Sequence, residues 1–230
     1  MTSFTRLAVF DVDGTLIDSQ HNIVAAMTLA WQAHGLGAPK PEEVRRIIGL
    51  SLVEAVSRLL PEPDEELALR VAHSFKEAFQ GLHLDPDMSE PLFPGAIEAL
   101  AALEADGWLL GVATGKSKRG VDSMIERYGF HGRFVTTQTA DDNPSKPHPG
   151  MLLRAMEESG IGAAETLMIG DTVYDMMMAL QAGTHALGVV WGYHPPEELT
   201  GAGAHALAQD YFALPAQAGE MLRNRRCALV

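Results

Sequence analysis

A chain of 230 residues, 47% of them hydrophobic, can bury the core of one α/β domain or of a domain carrying a sizeable insertion. Acidic residues outnumber basic ones by 13 (30 against 17), so the basic footprint of a nucleic-acid binder is missing and nucleic acid is not an expected partner. No run approaches the roughly 18 apolar residues of a membrane span. No signal peptide is expected, and the single cysteine, Cys227, cannot pair within the chain, which suggests a reducing, cytoplasmic setting.

The first element in chain order is the apolar run 7–10 (Leu7, Ala8, Val9, Phe10), which reads as a strand buried on both faces. Asp11 and Asp13 follow at its end, then Gly14, free to turn, and Thr15, able to donate a hydrogen bond. From Ser19 to about Glu90 the pattern is helical. Ile23, Met27, Ala30 and Trp31 form one stripe, Leu52, Val56, Leu59 and Leu60 a second, and Leu67, Val71, Phe75 and Phe79 a third, with Pro39, Pro41, Pro61 and Pro63 between them. The spacing predicts an all-helical insertion over 19–90 within an α/β core made of 1–18 and 91–230.

After Pro91 helices and strands alternate. Ile97, Leu100 and Leu103 predict the buried face of a helix, and 109–113 a strand ending at Thr114. A helix to about Tyr128 and a strand at 134–136 come next, then a helix marked by Met151, Leu152, Ala155 and Met156 and closed by Gly160. Strand 167–169 ends at Gly170-Asp171. Val173, Met176, Met177 and Leu180 predict a further helix, whose methionines suit core packing better than an interface, and 186–190 a further strand. This βαβα order implies a Rossmann-like parallel sheet covered on both faces, with ligands beyond the carboxyl ends of its strands.

The polar residues at those ends carry the chemistry. Two carboxylates at the mouth of a buried strand require a compensating cation. A lone D-x-D is common in turns, but after an apolar strand and before Gly-Thr it points to a divalent cation and a phosphate. Asp171 and Asp175, four apart, lie on one side of a helix's first turn, where either alone could be an N-cap or a dipole-complementing acid. Four carboxylates at strand ends suit Mg2+. Thr114, with the amides of Gly115 and Lys116, could hold phosphate oxygens, or Thr114 could be a helix N-cap. Lys146 sits in a loop, where a lysine is usually solvated; beside carboxylates it could neutralise both an aspartate and a phosphoryl group. For the clusters Arg45-Arg46, Lys116 to Arg119 and Arg223 to Arg226 a solvated helix end is the plain reading, and it is favoured for the last. The segment 111–117, GVATGKS, imitates a nucleotide-binding loop but has three residues between its glycines where that loop needs four, and Gly111 falls inside a strand.

FDVDGTLIDS (10–19), VATGKS (112–117), SKPHPG (145–150) and GDTVYDM (170–176) occur in this order at the ends of the right elements. As an ordered set they resemble the four motifs of haloacid dehalogenase-like hydrolases, and among these the phosphoglycolate phosphatase-like members with a helical cap. The resemblance covers nearly the whole chain. It implies that Asp11 is the nucleophile, that Asp13 is the acid and base, and that Thr114, Gly115 and Lys146 bind the phosphoryl oxygens. It further implies Mg2+ held by Asp11, the Asp13 main-chain carbonyl and Asp171, with Asp175 near the metal or paired to Lys146. Dehalogenases of the superfamily lack the second aspartate, so Asp13 favours phosphoryl transfer. Val12 and Gly115 depart from the commoner leucine and asparagine.

By the same resemblance, Arg45, Arg46, Gly49, Leu50 and Ser51 match the cap's substrate-specificity loop, and an arginine there could grip a carboxylate such as that of 2-phosphoglycolate. Two exposed helix arginines are the alternative. His194, in the loop after a strand, could approach the site, but it reads better as a structural turn residue, as does His148 between two prolines. The expected activity is Mg2+-dependent hydrolysis of a small phosphorylated metabolite. A sugar-phosphate mutase is the alternative enzyme, disfavoured because related mutases place a catalytic histidine where this chain has Ile23. A non-catalytic binding protein on the same fold is the alternative outside catalysis. Monomer and homodimer both remain open.

Overall fold

The computed structural model describes residues 5–82 and 90–227, with side chains as far as Arg223. Residues 83–89 of the expected helical stretch and the side chains of Arg225, Arg226 and Cys227 lie outside the described residues.

Among the described residues, six parallel strands form one sheet: β1 (Arg6–Phe10), β2 (Trp108–Ala113), β3 (Phe134–Gln138), β4 (Thr166–Gly170), β5 (His185–Val189) and β6 (Ala206–Ala208). Their order is β3-β2-β1-β4-β5-β6. The chain therefore winds outward from β1 in one direction and from β4 in the other, and the crevice beyond the carboxyl ends of β1 and β4 is the place such sheets offer to ligands. Alternation along β1 shows why the strand is apolar throughout. Ala8 and Phe10 face a cluster with Leu100 and Leu103, while Leu7 and Val9 face a second one with Met151, Leu152 and Met176.

One face is covered by α5 (Ala96–Ala105), α6 (Lys118–Tyr128) and α10 (Leu214–Cys227), the other by α7 (Gly150–Ser159), α8 (Val173–Gln181) and α9 (Pro196–Gly201). Local chemistry fixes their ends. Ser117 caps α6 by accepting from the Gly120 amide at 3.2 Å, and Gly129 closes the helix in the left-handed region. Between β1 and β2 lie α1 (Gln20–Ala33), α2 (Pro41–Ile47), α3 (Leu52–Leu59) and α4 (Glu65–Leu82), packed around an apolar cluster of their own that includes Ile23, Trp31, Val44, Val56 and Val71. Tyr174 and Tyr193 of the α/β part pack against that cluster.

The predicted strands are all present, within one or two residues at each end; β6 was not anticipated. Two helical stripes need correction. Ile97 is 46% exposed because the buried face of α5 runs through Ala96, Ala99, Leu100 and Leu103. In α8, Met176 and Met178 are in the core, whereas Met177 and Leu180 point outward. Among the described residues, no helix is long and apolar enough to cross a membrane.

Candidate active site

The site lies where the chain leaves β1, β2 and β4. Asp11 continues β1, its amide donating to the Ile169 carbonyl at 2.9 Å, so the sheet's own ladder sets its position. Asp171 follows β4 and is held from two sides: Thr15 Oγ1 donates to Oδ1 at 2.9 Å and the Tyr193 amide to Oδ2 at 2.9 Å. Gly14 makes this approach possible. Its φ of +86° is left-handed, and a Cβ there would lie 2.3 Å from Asp171 Oδ2, so only glycine fits.

Asp175 lies in the first turn of α8. Its Oδ2 accepts from the Thr172 amide at 3.1 Å and from Thr172 Oγ1 at 2.7 Å, while Thr172 Oγ1 also accepts from the Asp175 amide, a reciprocal cap. Thr172 rather than Asp171 is thus the N-cap. The other Asp175 oxygen takes Lys146 Nζ at 2.7 Å. Lys146, predicted in a loop, is fully buried and bridges Asp175 to Asp11, whose Oδ2 is 3.0 Å from Nζ. That contact does not meet hydrogen-bond geometry, so Asp11 Oδ2 is buried without a hydrogen-bond partner. Asp11 Oδ1 accepts from the Val12 amide at 2.7 Å.

Asp11, Asp171 and Asp175 each offer a carboxylate oxygen, and these oxygens lie within 4.8 Å of one another, all three residues fully buried. One ammonium cannot balance three buried carboxylates. Burial pushes the Asp11 carboxyl up to about 7; Lys146 opposes this, and Asp175 and Asp13 reinforce it. Asp171 is raised well above the ordinary carboxylate range by burial first and by Asp11 and Asp175 next. The two carboxylates hold Lys146 above its usual value although burial acts the other way. A hard divalent cation with oxygen ligands fits this donor set, in which Asp11 Oδ2 has the Lys146 ion pair but no hydrogen bond.

A test follows. Carboxyls raised in the fold stabilise the protein below their unfolded pKa, and that contribution is lost as pH rises through the folded value. The metal-free protein should therefore lose thermal stability between about pH 4 and about pH 7, the span from the ordinary Asp11 value to its raised one. Added Mg2+ should raise the melting temperature more at the alkaline end, where the ligands are ionised. Scanning calorimetry with and without metal reads both; an equal Mg2+ effect across the range would contradict the assignment.

Asp13 points elsewhere. Its carboxylate accepts from Ser19 Oγ at 2.6 Å and from Lys116 Nζ at 2.7 and 3.0 Å, and it stands outside the group of three. Lys116, for which a solvated helix end was one reading, is only 11% exposed at its side chain and also faces the Phe79 ring, 5.4 Å from its centroid. Thr114 is buried, its amide donating to the Gln138 carbonyl and its Oγ1 accepting from the Lys116 amide at 3.2 Å.

The helical segment closes on this floor through main chain. A Cβ on Gly115 would lie 2.3 Å from the Leu50 carbonyl oxygen, and one on Gly49 would lie 3.3 Å from Thr172 and 3.8 Å from Asp11 Oδ2. The Ser51 amide donates to Ser145 Oγ at 2.9 Å. Gly49, Leu50 and Ser51 therefore lie over Gly115, Thr172 and Ser145. The arginines are committed to other partners: Arg45 Nε donates to Gln20 at 2.8 Å, and Arg46 pairs with Glu198 at 2.8 Å with half its side chain exposed. His148 accepts from the Gly150 amide, as a turn residue does. His194 is buried at the seam between α2 and α8.

Sequence reasoning missed Lys116, Ser19 and Tyr193 as neighbours of the aspartates. Lys116 and Tyr193 meet them across 103 and 22 residues of chain, distances that local pattern does not report. Ser19, at six residues, was within the first motif and could have been found.

The family model described as "Haloacid dehalogenase-like hydrolase" matches residues 8–189. A probable phosphatase IndB of Dickeya dadantii is 34% identical over 219 residues, covering 94% of this chain and 95% of the relative. A phosphoglycolate phosphatase of Vibrio parahaemolyticus is 30% identical over 85% of this chain and 88% of its own. Among solved structures, a hydrolase from Pseudomonas syringae superposes with a TM-score of 0.82 at 27% identity, over 94% of this chain and 99% of that one.

Proposed function

This chain is a phosphatase that belongs to the haloacid dehalogenase-like hydrolase family, and we propose that it hydrolyses a small phosphorylated metabolite, best read as 2-phosphoglycolate, with Mg2+ as cofactor and residues 19–90 as a cap. The observation that carries this reading is the trio of buried carboxylates beyond the ends of β1 and β4, two of them paired with the buried Lys146.

In this reading Asp11 attacks phosphorus, the bond from phosphorus to the ester oxygen breaks, and Asp13 gives its proton to the departing alkoxide. Asp13 then takes a proton from the water that attacks the aspartyl phosphate, which releases inorganic phosphate and restores Asp11. Thr114, Gly115 and Lys146 hold the transferring oxygens, and Lys146 keeps Asp11 oriented through its bond to Asp175. Asp11, Asp171 and the Asp13 carbonyl would hold Mg2+, which supplies the charge neutralisation that lets an anionic nucleophile meet an anionic phosphate. Asp175 already holds the Lys146 ammonium at 2.7 Å, whereas Asp171 accepts only from the neutral Thr15 hydroxyl and Tyr193 amide, which supports service of Asp175 to Lys146 over direct ligation. The Gly49–Leu50 main chain over the floor supports a cap that excludes water during transfer.

Ile23, in the position where related mutases carry a catalytic histidine, is buried in the apolar cluster of α1–α4, which supports hydrolysis over isomerisation. The test is phosphate release from a panel of 2-phosphoglycolate, hexose phosphates and an aryl phosphate. Activity should require Mg2+, vanish with EDTA and be highest on 2-phosphoglycolate. Isomerised sugar without free phosphate would favour the mutase, and silence on every ester a binding protein.

A further inference from the structure

The carbonyl of Arg46 lies in the last turn of α2, where a helix leaves its carbonyls without intrahelical donors. Two side chains of the α/β part supply them: Tyr174 Oη at 3.1 Å and His194 Nε2 at 3.2 Å. The other ring nitrogen of His194, Nδ1, accepts from the Val173 amide at 3.3 Å. Val173 is the first residue of α8, whose amide is equally without a partner inside its own helix.

One imidazole thus satisfies an orphan acceptor of α2 and an orphan donor of α8. Only a neutral ring with its proton on Nε2 can do both. The surroundings keep it in that form: His194 is 3% exposed, and burial, then the Arg46 guanidinium, hold it below the usual histidine value. Tyr174, Asp175 and Glu198 are the other charged or titratable groups facing it. Around this point the two parts grip further: Arg46 pairs with Glu198 of α9, and the Arg58 guanidinium of α3 lies 5.4 Å from the Tyr174 ring centroid.

The join is adjacent in sequence to the reacting groups on both sides. Val173 and Tyr174 lie between Asp171 and Asp175, and three residues after Arg46 comes Gly49, where a Cβ would lie 3.8 Å from Asp11 Oδ2. We propose that His194 is a positioning residue: by joining the Arg46 carbonyl to the first amide of α8, it registers the Gly49–Leu50 turn over Asp11 in the closed enzyme. This rests on the phosphatase reading for its kinetic consequence and on geometry alone for its structural one.

The test uses the full chain with Mg2+ and an aryl phosphate, together with amide hydrogen exchange. A closed state that loses a hydrogen bond of this kind is depopulated by roughly three- to tenfold. His194→Ala should raise KM by about that factor and lower kcat by less, and should speed exchange in 47–53 while the interiors of α1 and α4 exchange as before. His194→Gln, whose amide can donate to Arg46 and accept from Val173, should return both readouts toward wild type.

Unchanged KM and unchanged exchange at 47–53 would overturn the proposal. So would faster exchange throughout the protein, which means a general loss of structure, or a glutamine variant as impaired as the alanine one. An inactive wild type would refute the phosphatase reading while leaving the exchange result to decide the positioning role.

Discussion

Asp11→Asn is expected to reduce phosphate release from any ester by roughly ten-thousandfold or more, the scale seen when a residue acting as the covalent nucleophile is removed. The amide keeps the shape of the carboxylate and can still accept from the Val12 amide, which now holds Oδ1 at 2.7 Å. It cannot form an acyl phosphate. The substitution also deletes one of three mutually repelling buried carboxylates and leaves Lys146 its partner at Asp175. Thermal stability of the metal-free variant should therefore equal or exceed that of the wild type above about pH 7, where Asp11 would otherwise be ionised without a hydrogen bond at Oδ2. Its Mg2+ affinity should fall. A purified, folded variant that still releases phosphate would remove Asp11 from the mechanism.

Lys146→Met should have the largest effect on stability. The ammonium is fully buried, 2.7 Å from Asp175 and 3.0 Å from Asp11. Removing one member of such a buried pair typically costs about 3–5 kcal/mol, because the partner charge stays behind without compensation. Methionine nearly conserves the volume, so a cavity contributes little and the loss is chiefly electrostatic. The cost should shrink on acidification, as the stranded carboxyls take up protons. In Lys146→Met/Asp175→Asn, which removes a charge of each sign, stability should recover in part, while activity stays lost because phosphoryl oxygens no longer meet the ammonium. Urea unfolding at two pH values separates these outcomes. A pH-independent cost equal in single and double variants would mean that packing, not charge, is what Lys146 contributes.

How much of this was legible depended on how local each cause is. The strands were readable because β1, β4 and β5 are apolar on both faces, so no alternation was needed to find them. Three-residue β6, made of two alanines and a leucine, carries too little pattern. Ile97, Met177 and Leu180 were misplaced because a helical stripe leaves its flanking positions ambiguous until the packing partner is known.

The aspartates and Lys146 announced themselves by standing at strand ends among turn residues. What they bind to one another did not. Asp175 as the reciprocal cap of Thr172 follows from a spacing of three within one helix start, and so was available locally. The Lys116–Asp13 pair and the His194 bridge to Arg46 are made by the fold, and the arginines at 45 and 46 turn to Gln20 and Glu198 for the same reason.

The most direct measurement is to mix enzyme and a phosphate ester in the presence of Mg2+, quench in acid within a single turnover, and locate the phosphoryl group by peptide mass spectrometry. The expected result is one phosphoryl group on the peptide containing residues 10–19, at Asp11, absent from Asp11→Asn and gone at later quench times. Full phosphate release in that turnover with no phosphorylated peptide at any time, or with the group on another residue, would contradict it.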